Sequence, residues 1–128
     1  MLTDEMEGPI AYRGTAFCIQ YAVRANGSCP AEDFYESLSR ADQAKMLALF
    51  KWMGDHGQIY NKEKFKKIEG TQELYEFKSF QIRIMCAFQP NRQLVLLRGV
   101  IKKRDRYDRS DIETAERILA EHKARSEQ

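Results

Sequence analysis

Three strand-like segments separated by very short connections constrain the fold of this chain most strongly. They span residues 73–79, 80–89 and 93–103, and each is rich in β-branched and aromatic side chains. The first connection falls around Ser79-Phe80 and the second at Pro90-Asn91-Arg92. Because tight connections of this kind join antiparallel strands, the sequence predicts a three-stranded meander.

A further strand and two helices precede the meander. Apolar residues alternate with smaller ones over residues 15–23, which is the period of a strand. A short helix begins at Pro30, a residue suited to the first helical position. A longer helix begins near Ser39, whose spacing to Asp42 resembles a capping box, and runs towards Gly57. The two helices predict a hairpin whose apolar faces cover a sheet.

A capped helix closes the chain. Ser110 and Glu113 have the spacing of a capping box, and the apolar residues that follow recur on roughly one side. The predicted order is β-α-α-β-β-β-α. We therefore expect an α+β fold with a small, mostly antiparallel sheet, made of an N-terminal strand and the meander, with the helical hairpin packed on it and a C-terminal helix.

The chain of 128 residues has the size of one domain. Residues 1–13 have no clear period and predict a flexible N-terminal extension, which leaves residues 14–128 as the domain. No apolar run approaches the roughly 20 residues of a membrane helix, and the acidic start lacks a secretory signal, so we expect a cytoplasmic protein with no membrane partner. The three cysteines include no C-x-x-C pair, and we expect reduced thiols, with Cys18 and Cys86 filling the core.

Positive charge is concentrated in the middle of the chain. The formal net charge is only +2, but residues 62–109 carry 13 Lys and Arg against 6 Asp and Glu, whereas both ends are acidic. This asymmetry indicates a surface for a polyanion in the middle segment, although many lysine-rich faces are only solvated.

Arg83 lies in the middle of the second meander strand, on the face opposite Ile82 and Ile84. It is either a solvated residue on an open sheet face or a guanidinium held on a rigid element to grip a phosphate. Glu76 and Lys78 of the preceding strand stand beside it. They form either a weak surface salt bridge or an acid/base pair for phosphodiester cleavage by an RNA 2′-hydroxyl, and the spacing leaves both open.

Basic residues also cluster after the last predicted strand and in the connector before the meander. Such runs are usually solvated, but arginines interleaved with an aromatic residue are typical of surfaces that bind splayed RNA bases and phosphates. The candidate RNA-binding residues are Lys66, Lys67, Lys102, Arg104, Arg106 and Tyr107.

Other chemistries have little support in the sequence. The only histidines are His56 and His122, and no glycine-rich phosphate loop occurs, so we expect neither a metal site nor a nucleotide cofactor. The aromatic and methionine residues of the longer helix have helical spacing and predict packing rather than a ligand site: Met46, Phe50, Trp52 and Met53.

Six short segments occur in a characteristic order between about residue 15 and residue 123. They are NGSCPAEDF at 26–34, LSRADQAK at 38–45, KIEG…ELYEF at 67–77, IRI at 82–84, LLRGVIKK at 96–103 and IETAER at 112–117. In this order they resemble the phage-derived HigB-like branch of the RelE/ParE toxin superfamily.

The resemblance implies a RelE-like fold and the toxin of a type II toxin–antitoxin pair. Such toxins are metal-independent endoribonucleases that cleave mRNA on the ribosome, leave a 2′,3′-cyclic phosphate and are neutralised by an antitoxin protein. Carried onto this chain, Arg83 matches the arginine that grips the scissile phosphate. Lys103, or its neighbour Arg104, matches the leaving-group acid or phosphate clamp. Glu76 or Lys78 matches the general base.

The same resemblance leaves two alternatives, because one fold supports several activities. They are a ParE-like inhibitor of DNA gyrase and a non-catalytic domain that binds nucleic acid or protein. The acidic N-terminus and the charged segment 104–109 depart from the family pattern, which bears on ribosome dependence and sequence preference. Arg83 and Lys103 are expected to be exposed basic residues outside the core. Their substitution by Ala should therefore abolish toxicity and leave the fold intact.

Overall fold

The computed structural model of the protein describes residues 8–102 and 106–126. Its helices are α1 (Pro30–Ser37), α2 (Arg40–His56) and α3 (Arg109–Ser126). Its strands are β1 (Ile10–Arg13), β2 (Cys18–Tyr21), β3 (Phe65–Lys67), β4 (Tyr75–Ser79), β5 (Ile82–Gln89) and β6 (Gln93–Ile101). Within these described ranges, no helix combines the length and the apolar content that crossing a membrane requires.

The six strands form one mixed sheet in the order β1-β2-β6-β5-β4-β3. Strands β4, β5 and β6 are the predicted antiparallel meander, with Ser79 opposite Ile82 at the first turn. Strand β2 runs parallel to β6, with Cys18 opposite Gln93. The expected mostly antiparallel sheet is thus corrected to a mixed one, because the helical crossover between β2 and the meander permits a parallel pairing.

Two edge strands were not predicted. Strand β1 pairs antiparallel with β2, although the sequence places these residues in a flexible extension. Strand β3 lies in the basic connector and pairs antiparallel with β4. With four and three residues, these strands are too short for a visible alternation of apolar and polar side chains.

Helices α1 and α2 cover one face of the sheet. As predicted, the side chain of Ser39 accepts a hydrogen bond from the N–H of Asp42, and Gly57 ends α2 in the left-handed conformation at φ 81°. The ring of Phe50 meets that of Phe77 edge-on at 5.1 Å. This core consists largely of Ile19, Met46, Phe50, Met53, Phe77, Ile84, Cys86, Leu94 and Leu96.

Helix α3 covers part of the opposite face. It begins at Arg109, so Ser110 lies inside its first turn and is not the cap that the sequence predicts. An ion pair of 2.8 Å between Arg24 and Glu121 ties the helix to the loop after β2. A second core forms there from Ala22, Ile68, Leu74, Met85, Ala87, Val95, Leu97, Ala115, Ile118 and Leu119. The sheet is therefore apolar on both faces.

Trp52 is the one predicted packing residue of α2 that does not join the core. It is 55% exposed and its ring lies 4.1 Å from that of His56, on the side of the helix away from the sheet. Cys18 and Cys86 are buried, as predicted.

Candidate functional site

The strand register places four of the predicted site residues side by side. Lys66 of β3 lies opposite Glu76 of β4, and Lys78 of β4 lies opposite Arg83 of β5. Because side chains alternate along a strand, all four share the face on which α3 packs, where Met85 lies opposite Glu76. The sheet thus brings together the residues that the sequence predicts as neighbours.

Arg83 and Glu76 form a buried ion pair. The Nε atom of Arg83 is 3.5 Å from Oε1 of Glu76, and the two side chains are only 9% and 3% exposed. The Nη1 atom of Arg83 also donates to the main-chain carbonyl of Phe80 and, at 3.2 Å, to that of Ile82. The expectation that Arg83 lies on an exposed surface is therefore wrong, because α3 turns this face of the sheet into a second core.

Tyr107 completes the cluster from the segment that precedes α3. Its hydroxyl donates a hydrogen bond of 2.6 Å to Oε1 of Glu76. Burial, and then the hydrogen bond to Glu76, raise the pKa of Tyr107 well above its usual value, so the hydroxyl keeps its proton. The ammonium of Lys102 lies 3.6 Å from the centre of the Tyr107 ring, a cation–π contact.

An open cleft of about 770 Å³ lies beside this cluster. Its wall contains five basic side chains and one acidic side chain, which makes it strongly attractive to an anion. We call this feature the cationic cleft, lined by Asn61, Lys62, Glu63, Lys64, Lys66, Lys78, Phe80 and Arg83.

A second cavity of about 390 Å³ adjoins the cationic cleft at Lys66, which lines both. Its wall includes Glu76, Tyr107 and Arg106. The ion pair is thus bordered by both spaces, with Arg83 reached from the cationic cleft and Glu76 from the second cavity.

Several predicted RNA-binding residues lie elsewhere than expected. Lys67 lies opposite Tyr75 and so occupies the other face of the sheet from Lys66. Lys102 is buried against Tyr107 instead of forming part of an exposed charge run, whereas Arg106 is exposed. Lys103 and Arg104 lie outside the residues that the structure describes.

Phe80 is a cleft residue that sequence reasoning missed. The sequence identifies it only as part of the predicted Ser79-Phe80 connection. It lies in the turn between β4 and β5 and is 75% exposed. A large apolar residue at a predicted tight connection was the available signal. The described ranges contain no group of three His, Cys, Asp or Glu side chains placed to ligate a metal ion.

Comparison with known proteins agrees with this fold. The family model for phage-derived protein Gp49-like (DUF891) matches residues 33–120, more than half of the chain. A chain from the crystal structure of an archaeal RelE–RelB complex from Pyrococcus horikoshii OT3 superposes with a TM-score of 0.51 at 16% identity, over 74% of this chain and 99% of that one. No curated protein matches the sequence. The chain belongs to the family of phage-derived Gp49-like proteins, and its fold is similar to that of the archaeal RelE–RelB chain.

Proposed function

We propose that the protein is the toxin of a type II toxin–antitoxin pair and cleaves mRNA on the ribosome without a metal ion. The observation that carries the proposal is the Glu76–Arg83–Tyr107 cluster beside the cationic cleft. A carboxylate, a guanidinium and lysines at one place are the groups that phosphodiester cleavage by a 2′-hydroxyl needs.

Binding of RNA depends on the exposed and half-buried cations of the cleft. Lys64 is exposed, and Lys66 and Lys78 are half-buried, so their ammonium groups can reach phosphates. Arg83 lines the floor of the cleft from its buried position. The pairing with Glu76 and the two carbonyls fixes the guanidinium on β5, so that it meets a phosphate without a further loss of side-chain entropy.

In the chemical step, Glu76 acts as the general base. It accepts the proton of the 2′-hydroxyl, whose oxygen attacks the adjacent phosphorus while the bond to the 5′-oxygen breaks. Lys78 and Arg83 stabilise the additional negative charge of the phosphorane. Tyr107 holds the carboxylate in place through its hydrogen bond, and Lys103 donates the proton that the departing 5′-oxygen requires. The products are a 2′,3′-cyclic phosphate and a 5′-hydroxyl.

A cognate antitoxin is the proposed protein partner. The match to a chain of a RelE–RelB complex supports a partner of this kind. A partner that covers the cationic cleft with acidic side chains or an amphipathic helix would block access to RNA. We propose a cytoplasmic location, because the proposed substrate is mRNA under translation.

The product ends of the reaction test this mechanism. In a reconstituted translation reaction containing EDTA-treated protein and a short reporter mRNA, we expect cuts that leave a 2′,3′-cyclic phosphate and a 5′-hydroxyl. Replacing the 2′-hydroxyl at the cut site by hydrogen should abolish that cut and spare the others. Ends with a 5′-phosphate and a free 3′-hydroxyl would contradict attack by the 2′-hydroxyl.

A further inference from the structure

Phe80 is an unusual residue for the position that it occupies. It lies at the first position of the two-residue turn between Ser79 and Ile82 with φ 56°, a positive value that favours Gly. It is also 75% exposed. A large aromatic side chain is therefore kept in solvent on a backbone conformation that it adopts with difficulty, and such outliers concentrate at functional sites.

The surroundings of Phe80 connect it to the candidate site. Its carbonyl oxygen accepts a hydrogen bond from Arg83, and the residue lines the cationic cleft. The ammonium of Lys45, from α2, lies 4.6 Å from the centre of the ring. An exposed aromatic ring, an adjacent ammonium and a buried guanidinium thus follow one another at the end of the β4–β5 hairpin.

We propose that Phe80 is a stacking platform for one nucleobase of a single-stranded RNA whose phosphates lie in the cationic cleft. The proposal rests on the proposed function and adds a base-binding residue to it. Sites for single strands combine a positively charged groove with aromatic side chains on which unpaired bases stack. A base inside a duplex has both of its faces covered, so a platform of this kind selects unpaired RNA.

Binding of two matched oligonucleotides tests the platform. The probes are an uncleavable 2′-O-methyl hexanucleotide and the same backbone with abasic sugars, measured by fluorescence anisotropy at low ionic strength. Because stacking on an aromatic ring is a substantial interaction for each base, wild type should bind the base-containing probe about tenfold more tightly than the abasic one. Phe80→Leu should remove this preference by weakening only the base-containing complex, and Phe80→Trp should retain it.

Two further variants separate stacking from a general effect. Trp52→Leu removes another exposed aromatic side chain, on α2 and outside both cavities, and should leave both affinities unchanged. Phe80→Gly suits the positive φ at the first position of this two-residue turn, so it should unfold at an equal or higher urea concentration than wild type and still lack the preference.

Three results would overturn the platform. If Phe80→Leu keeps the preference for the base-containing probe, or if wild type binds both probes equally, the ring stacks on no base. Neither result would contradict binding of RNA phosphates in the cationic cleft. If Phe80→Leu and Phe80→Trp lose the preference for the base-containing probe to the same extent, the ring has only a structural role. Binding of neither probe would overturn the placement of single-stranded RNA in the cationic cleft, and the platform with it, whereas the product-end assay on the ribosome tests the proposed function separately.

Discussion

Tyr107 and Arg83 meet at a single atom, Oε1 of Glu76. The hydroxyl of Tyr107 donates to this oxygen at 2.6 Å, and Nε of Arg83 lies 3.5 Å from it. One carboxylate oxygen therefore joins the segment that leads into α3 to the centre of the sheet. The site and the attachment of this segment depend on the same contact.

Removing the Tyr107 hydroxyl should weaken the fold and the catalytic step together. Tyr107→Phe keeps the ring beneath Lys102 but leaves Glu76 without this donor, so we expect a loss of about 1.5–3 kcal/mol in the free energy of unfolding. Urea unfolding measures the loss. Tyr60→Phe is the matched control, because Tyr60 is 81% exposed, and it should change nothing. Equal stability of Tyr107→Phe and wild type would contradict the importance of the hydrogen bond.

Arg83→Ala should lower the free energy of unfolding more than Lys78→Ala, which replaces the lysine opposite Arg83 on β4. Removing one partner of a buried ion pair costs about 3–5 kcal/mol, because the other charge stays buried without compensation. Lys78→Ala removes a half-buried ammonium and should cost less than about 0.5 kcal/mol. Urea unfolding of both variants checks this contrast.

The double variant Arg83→Met/Glu76→Leu separates a lost ion pair from lost packing. Made in the Tyr107→Phe background, so that no hydroxyl loses its acceptor, the double variant removes both charges of the ion pair and should recover most of the stability that Arg83→Ala loses in the same background. A double variant as unstable as Arg83→Ala would show that packing by the arginine stem, and not the unpaired carboxylate, causes the loss.

Two adjacent lysines should differ in their effect on RNA binding. Lys66 lines the cationic cleft, whereas Lys67 lies on the other face of the sheet. Each phosphate contact on a single strand contributes about 0.7 to the slope of log affinity against log salt concentration. Lys66→Ala should reduce the slope by about that amount, and Lys67→Ala should not. The slopes are measured with the uncleavable hexanucleotide, and equal effects of the two variants would argue against the cleft.

His122 should make the protein sensitive to mild acid. Its Nδ1 atom accepts a hydrogen bond from the N–H of Val23, and burial, followed by the charge of Arg125, lowers its pKa below the usual 6.5. As pH falls through 6.5, the unfolded chain binds a proton that the folded protein excludes, so stability declines with falling pH until the folded pKa is reached.

Thermal unfolding between pH 7.5 and pH 5 measures this dependence. The variant His122→Gln can still accept from Val23 but does not titrate, and it should flatten the decline. The pKa of the neighbouring Glu121 is lowered to about 2, chiefly by its hydrogen bond from Arg24, so this carboxylate titrates below the tested range. An unchanged decline in His122→Gln would assign the acid sensitivity to another group.

The meander, the helical hairpin and the neighbours of Arg83 were predictable because each depends on local patterns. Alternation sets which residues of β4 and β5 share a face, and short turns set the register that places Lys78 opposite Arg83. The cap at Ser39 requires only a hydroxyl three residues before an N–H. None of these features depends on distant parts of the chain.

The burial of Arg83 was not predictable in this way, because it depends on where α3 packs. A long-range contact covers the face that carries Met85 and Ala87, and with it the ion pair. The sequence did contain one signal for this burial. Met85 and Ala87 follow Arg83 at every second position, so they share its face of the strand and predict that this face is apolar as well. The parallel pairing of β2 with β6 and the edge strands β1 and β3 likewise depend on tertiary contacts.

Mapping the 5′ ends of a reporter mRNA by primer extension, after brief induction of the protein in cells, tests the central claim most directly. We expect new ends inside translated codons that disappear when the start codon is removed, persist with Lys67→Ala and fall sharply with Lys78→Ala, which lies in the cleft without supporting the fold. Arrested growth with soluble protein and no new ends would contradict cleavage of mRNA and favour inhibition of DNA gyrase. Normal growth without new ends would favour the remaining alternative, a non-catalytic domain that binds nucleic acid or protein.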